Sequence, residues 1–169
     1  MFKKSISVVS VVVIASALLI FCTYEQSDSQ GLAEDEAYYT EKGLSYFKEG
    51  FYKLTPKGNK QEAVQKYEQA IAAFEKAIAI NGTYVEAHRH LARVYYVQRR
   101  FSEAAESYKK VTELSPSDID AYVKLASAYA RMNKYPEAIQ QLEKAKTFTS
   151  DKVVVSQLNE FIQRLRQGQ

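Results

Sequence analysis

The chain has 169 residues, 46% of them apolar and 25% charged, with only six Gly and three Pro. That suits one folded domain plus a tether, and it excludes a disordered chain as well as a turn-rich β-sandwich. The formal charge of +3 includes Lys3 and Lys4; removing these from the 23 basic residues leaves 21 against 20 acidic ones. No concentrated basic block remains to hold a phosphate backbone, so nucleic acid is excluded as a partner.

The first element, residues 1–22, opens with a short positive start at Lys3 and Lys4. It continues as a run from Ile6 to Phe21 interrupted only by Ser and Ala. Beyond Cys22 the chain turns acidic, with Glu25, Asp28, Glu34, Asp35 and Glu36. Basic before and acidic after predicts export, with the two lysines left in the cytoplasm. Leu19-Ile20-Phe21-Cys22 resembles the lipobox of bacterial lipoproteins, which implies Cys22 as a lipidation site; Phe21 stands where that pattern carries a small residue. An uncleaved anchor and a plain cleaved signal are the alternatives. As a helix the run spans roughly 24 Å, short of the ~30 Å hydrocarbon core. Cys22 is the only cysteine, which rules out an intrachain disulfide and a Cys-based zinc site. Residues 23–33 are polar and aperiodic, a flexible spacer.

Residues 34–84 read as an irregular helix pair. Its first helix is expected from about Glu34 to Lys53, with Gly43 in a small-residue place. A loop with breakers, Leu54 to Lys60, follows, and a second helix starts at Gln61 with Tyr67, Ala70, Phe74 and Ala77 in register. Asn81-Gly82 is expected to end this helix through left-handed geometry. Asn81-Gly82-Thr83 also matches a glycosylation sequon, but an inter-helix turn explains it without a glycan.

Residues 85–118 and 119–152 then repeat each other at a shift of 34 without a gap. Leu91 aligns with Leu125, Ala92 with Ala126, Tyr95 with Tyr129, Phe101 with Tyr135, Ala104 with Ala138 and Tyr108 with Leu142. Small residues mark where helices approach closely, and aromatic ones fill the space between neighbouring pairs. Pro116 forbids continuation of a helix, Asp118 can cap the next, and Pro136 lies in a first turn, where a missing N–H does no harm. Residues 153–169 carry Val154, Leu158, Phe161, Ile162 and Leu165 on one stripe of an amphipathic helix, suited to closing a stack; a membrane-binding helix is the rival reading, disfavoured by a polar face that mixes Gln, Glu and Arg.

This 34-residue pattern resembles the tetratricopeptide repeat (TPR) family over residues 34–152. The resemblance implies an all-α fold, a right-handed superhelix of antiparallel helix pairs. About three units are expected (34–84, 85–118 and 119–152), closed by a C-terminal capping helix. It implies a concave groove lined by the first helix of each pair, binding a protein or peptide. In the second unit the groove residues are then Glu86, Arg89, Arg93, Tyr96 and Val97. In the third they are Asp120, Val123, Ser127, Ala130 and Arg131, and in the first Thr40, Leu44 and Phe47.

Arg89 and Arg93 lie one turn apart and point the same way, as a carboxylate-binding pair would. Chaperone-binding members of the family carry a basic clamp that extends over several repeats; Val123 and Ser127 interrupt it here. The ordinary alternative is that both arginines pair with Glu86 and neighbouring acids on a solvated face. Tyr96, Val123 and Ala130 make the middle of the groove partly apolar. His88 takes a large packing position and reads as structural, and His90 is expected to be exposed. At i, i+2 the two cannot share a metal. With no phosphate loop, nucleophile elbow or carboxylate-rich metal pattern, no enzymatic activity, cofactor or metal is expected. The reading is a membrane-tethered adaptor in the bacterial cell envelope, binding a protein segment and helping to assemble a larger complex. The alternative is an accessory ligand-binding subunit of a transport system, with a small molecule in the concave pocket.

Overall fold

Alanine, glutamate, lysine and glutamine are frequent in the segments between turns, and each segment carries one apolar stripe, so helix is the state that both propensity and burial favour. The computed structural model describes residues 34–168. Residues 1–33, where an export or anchor segment, Cys22 lipidation and a spacer are expected, lie outside these residues. Among the described residues no strand occurs.

The chain runs α1 (Glu36–Lys48), a π-helical turn (Glu49–Leu54), α2 (Lys60–Ile80), α3 (Val85–Val97), α4 (Phe101–Leu114), α5 (Ile119–Arg131), α6 (Tyr135–Lys146) and α7 (Lys152–Gln167). Consecutive helices pack as antiparallel hairpins, α1 on α2, α3 on α4 and α5 on α6. Neighbouring hairpins stack through α2–α3 and α4–α5, and α7 closes the stack on α6.

Two apolar clusters form the core. One joins α1 to α5 around Phe47, Tyr67, Phe74, Leu91, Tyr95 and Tyr108; the other joins α5 to α7 around Tyr122, Leu142, Leu158 and Ile162. Tyr129 packs against both. The alanines at the close approaches (Ala92, Ala126, Ala104 and Ala138) are completely buried, which is why nothing larger stands there.

The two regular hairpins turn alike. Arg99 and Asn133, 34 residues apart, adopt left-handed backbone with φ of 64° and 59°. Behind each, an N–H closes the helix end, Arg100 N to the Tyr95 carbonyl and Lys134 N to the Tyr129 carbonyl, both at 2.9 Å. Between hairpins, Tyr84 N bonds the Asn81 carbonyl and Asp118 N the Ser115 carbonyl, again equivalent positions. Asn81 is extended (φ −136°, ψ 95°), and Gly82 does not take positive φ. The expected left-handed stop at Asn81-Gly82 is therefore wrong. The helix ends by a bend in which Asn81 Oδ1 accepts from Thr83 N at 3.1 Å, while Asn81 Nδ2 donates to Glu36 of α1 at 3.0 Å.

The first pair departs from this frame. Gly43 lets α1 close onto α2: a Cβ there would stand 2.6 Å from the Phe74 ring. Gly50, in the π turn, lies where a Cβ would meet Tyr67 at 2.9 Å. The Tyr67 hydroxyl donates to Thr55 Oγ1 (3.0 Å), which in turn donates to the Gly50 carbonyl (2.8 Å) and pins the inserted segment.

Candidate functional site

The first helices α3 and α5, with Tyr108 of α4 beneath them, enclose a cavity of about 500 Å³ open to solvent. It is lined by Arg89, Arg93, Tyr96, Val97, Asp120 and Ser127, together with His90, Tyr108 and Lys124. A second cavity of about 510 Å³ follows between α5 and α7, with Val123, Val154 and Phe161 on its walls and Asp120 shared by both. Glu86 lies at the solvent side, 3.5 Å from Arg89 and 3.9 Å from His90. Arg131 lines neither cavity; its guanidinium lies over the Phe101 ring at 5.3 Å.

The two arginines differ. Arg89 is held by Asp118 at 2.7 Å, and Asp118 also caps α5 by accepting from Ala121 N at 3.0 Å. One carboxylate thus ties two hairpins together. Burial alone would lower the Arg89 pKa, but the hydrogen bond and charge of Asp118 outweigh it and the net shift is upward. Arg93 has no carboxylate within ion-pair distance among the described residues; it lies over the Phe47 ring at 5.1 Å. Lys124 is 3.9 Å from Asp120, a loose exposed pair. Ser127 turns its hydroxyl back to the Val123 carbonyl (2.8 Å).

Several expectations need correction. Thr40 and Phe47 do not face the groove: both are buried, Thr40 bonding the Glu36 carbonyl and Phe47 packing against Tyr67 and Phe51. Leu44 packs against the same cluster, half-buried. Nor is His90 exposed. It stacks on Phe74 with centroids 5.7 Å apart, and burial, only partly offset by Glu86, pushes its pKa down. His88 is buried, and its Nε2 lies 3.0 Å from the Gly82 carbonyl. Sequence reasoning placed Tyr108 in the core but missed that it lines the cavity. It also read Asp118 as a cap alone. Among the described residues no cluster of His, Cys, Asp and Glu could hold a metal ion.

The comparisons fit this architecture. No curated protein matches the chain. Among solved structures, a thermophilic TPR protein of Thermus thermophilus superposes with a TM-score of 0.65 at 17% identity, over 85% of this chain and 69% of that one. The TPR2B domain of yeast Sti1, in complex with pHsp70, gives 0.56 at 18% identity over 76% and 99%. The first TPR of Spaghetti (RPAP3), bound to an HSP90 peptide, gives 0.55 at 19% over 76% and 94%. At these identities the likeness is one of fold. A family profile described as tetratricopeptide repeat matches residues 56–119 and 91–151, more than half the sequence, and the chain belongs to that family.

Proposed function

We propose that this protein is a membrane-tethered adaptor of a bacterial cell envelope that binds a protein segment along the trough formed by α3, α5 and α7. What carries the reading is two cavities that share Asp120, one between the first helices α3 and α5 and one between α5 and the closing helix α7, mixing charged with apolar walls. Two structural neighbours, the TPRs of Spaghetti and Sti1, are themselves peptide or chaperone complexes. An open trough suits an extended chain better than a small molecule, whose sites bury most of the ligand. The tether rests on the sequence alone, on the positive start, the apolar run and Cys22.

A photo-crosslinking residue placed at Ser127, inside the trough, should capture a discrete partner in native cells, whereas the same residue at Gln140 on α6 should not. Equal capture from both positions would remove the trough from the function. For the tether, the full chain should sediment with membranes and a chain lacking residues 1–22 should not.

A further inference from the structure

Each later hairpin receives the one before it on the same side of its first helix. The positions are His88, Leu91 and Tyr95 in α3 and, 34 residues on, Tyr122, Leu125 and Tyr129 in α5. Tyr95 reaches Glu75 of α2 at 3.5 Å, and the α5 set shares a cavity with Lys109 and Thr112 of α4. Gly43 takes the small-residue place of Ala92, so the same positions in α1 are Tyr39, Lys42 and Tyr46. Among the described residues no hairpin precedes α1. These three line, with Ala72, Ala73 and Lys76 of α2, an open hollow of about 200 Å³.

The end of a helical stack must meet something other than the next repeat. This end meets it with tyrosines and lysines, side chains with an apolar body and a polar tip. Lys76 Nζ lies 5.2 Å from the Tyr39 ring centre, Lys42 Nζ 5.5 Å from that of Tyr38, and Lys66 Nζ 5.4 Å from that of Tyr46. Two carboxylates border the face, and both are engaged. Asp35 caps α1 by accepting from Tyr38 N at 2.8 Å, and Glu49 is held by Lys66 at 2.9 Å. Glu41 falls on another flank of the helix. Lys42 and Lys76 have no carboxylate within ion-pair distance among the described residues, so the face keeps positive charge.

The place of this face in the chain says what lies near it. Helix α1 starts at Glu36, and residues 23–35 span at most about 45 Å, so α1 stays within that distance of Cys22. Tyrosine is enriched where headgroups meet hydrocarbon, and lysine beside it is drawn to anionic lipid.

Resting on the tether in the reading above, we infer that the open end of the first hairpin lies against an anionic membrane surface. Tyr38, Tyr39 and Tyr46 enter the headgroup layer, and Lys42 and Lys76 meet lipid phosphates. The anchor holds the protein to the bilayer, while this face orients it, so that successive hairpins and the trough along them extend outward.

The chain contains no tryptophan, which supplies the test. A single Tyr46→Trp reports this face, and a single Phe161→Trp reports the other end of the stack. Full-length protein is reconstituted in phosphatidylcholine vesicles containing phosphatidylglycerol brominated near its headgroup, whose bromine quenches tryptophan at the bilayer surface. Emission from Tyr46→Trp should be lost and that from Phe161→Trp kept. Adding Lys42→Glu and Lys76→Glu should restore the Tyr46→Trp emission, with circular dichroism unchanged because both lysines are exposed. Tyr38→Trp, at a more exposed position, gives the same readout should the Tyr46 variant fold poorly. Equal quenching at the two ends, quenching at neither, or quenching indifferent to the lysines would overturn the inference. A blue shift at Tyr46→Trp without quenching would put residues 1–33 or a second copy on this face and overturn it too. In each of these cases protein that still sediments with the vesicles keeps its tether; protein that does not sediment loses both readings.

Discussion

The first hairpin and the second solve the same packing problem differently. In α3–α4 and α5–α6, helices meet at alanines, turn through a left-handed residue and leave a polar face on the first helix for the trough. In α1–α2 the approach is closer, made at Gly43 against Phe74, and the turn is replaced by a π-helical segment fixed by Thr55 and Tyr67. The side of α1 that would have faced a partner is turned inward, with Thr40 and Phe47 buried. The regular repeats leave an open face, and the irregular one buries its own.

The largest perturbation of that contrast is Phe74→Ala. Phe74 is fully buried, anchors α2, and touches both Gly43 and His90, so removal should cost about 3–5 kcal/mol in urea unfolding. Next is Gly43→Ala. The added methyl would lie 2.6–2.9 Å from three atoms of the Phe74 ring, and a loss of about 1–3 kcal/mol is expected, where the regular hairpins already carry alanine at no penalty. An unchanged midpoint would mean that α1 can move away from α2, and the distinction between the pairs would fail.

His90 sharpens the comparison at the joint between the two hairpins. Its folded pKa lies below the ordinary 6.5, chiefly through burial, with Arg93, Arg89 and Lys48 adding to the effect and Glu86 opposing it. Below pH 6.5 the unfolded chain therefore binds more protons than the folded one. Stability from this group is complete above that pH and declines as pH falls through the folded value. His90→Gln should flatten that part of a stability-against-pH profile; an identical slope in both proteins would assign it elsewhere. The smallest effect is at the regular turn. Arg99 is held at φ 64°, so Arg99→Gly should stabilise by about 0.5 kcal/mol. Asn133→Gly should do less, because Asn tolerates that backbone.

Much of the fold is legible in the sequence because the same demand recurs 34 residues later. Ala92 and Ala126, Leu91 and Leu125, or Ala104 and Ala138 each testify for the other, and all six are buried in helices. What escapes the sequence depends on partners without such an echo. The inward turn of Phe47 follows from its stacking on Phe51 and its tilted contact with Tyr67, beside an insertion that breaks the period. His90 is covered by a ring from another hairpin, and Arg89 is held by an aspartate already accounted for as a helix cap. Gly82 shows the converse error: a residue able to take positive φ was assumed to use it, whereas the helix ends at an extended Asn81 whose side chain bonds Thr83 N beyond it. The charged side of the trough could be read by register alone, but the place of Tyr108 on the cavity wall needed the surrounding atoms.

One consequence follows from the last helix. Leu158, Ile162 and Leu165 anchor α7 principally on α6, while Val154 and Phe161 on its other flank border the trough. A wall braced from behind on one side yields more readily than α5, which is gripped by hairpins before and after it. A partner lying in the trough would thus meet an unyielding surface at α5 and one better able to adjust at α7. Tolerance at one position and strictness at the other are then properties of where in the stack each position falls.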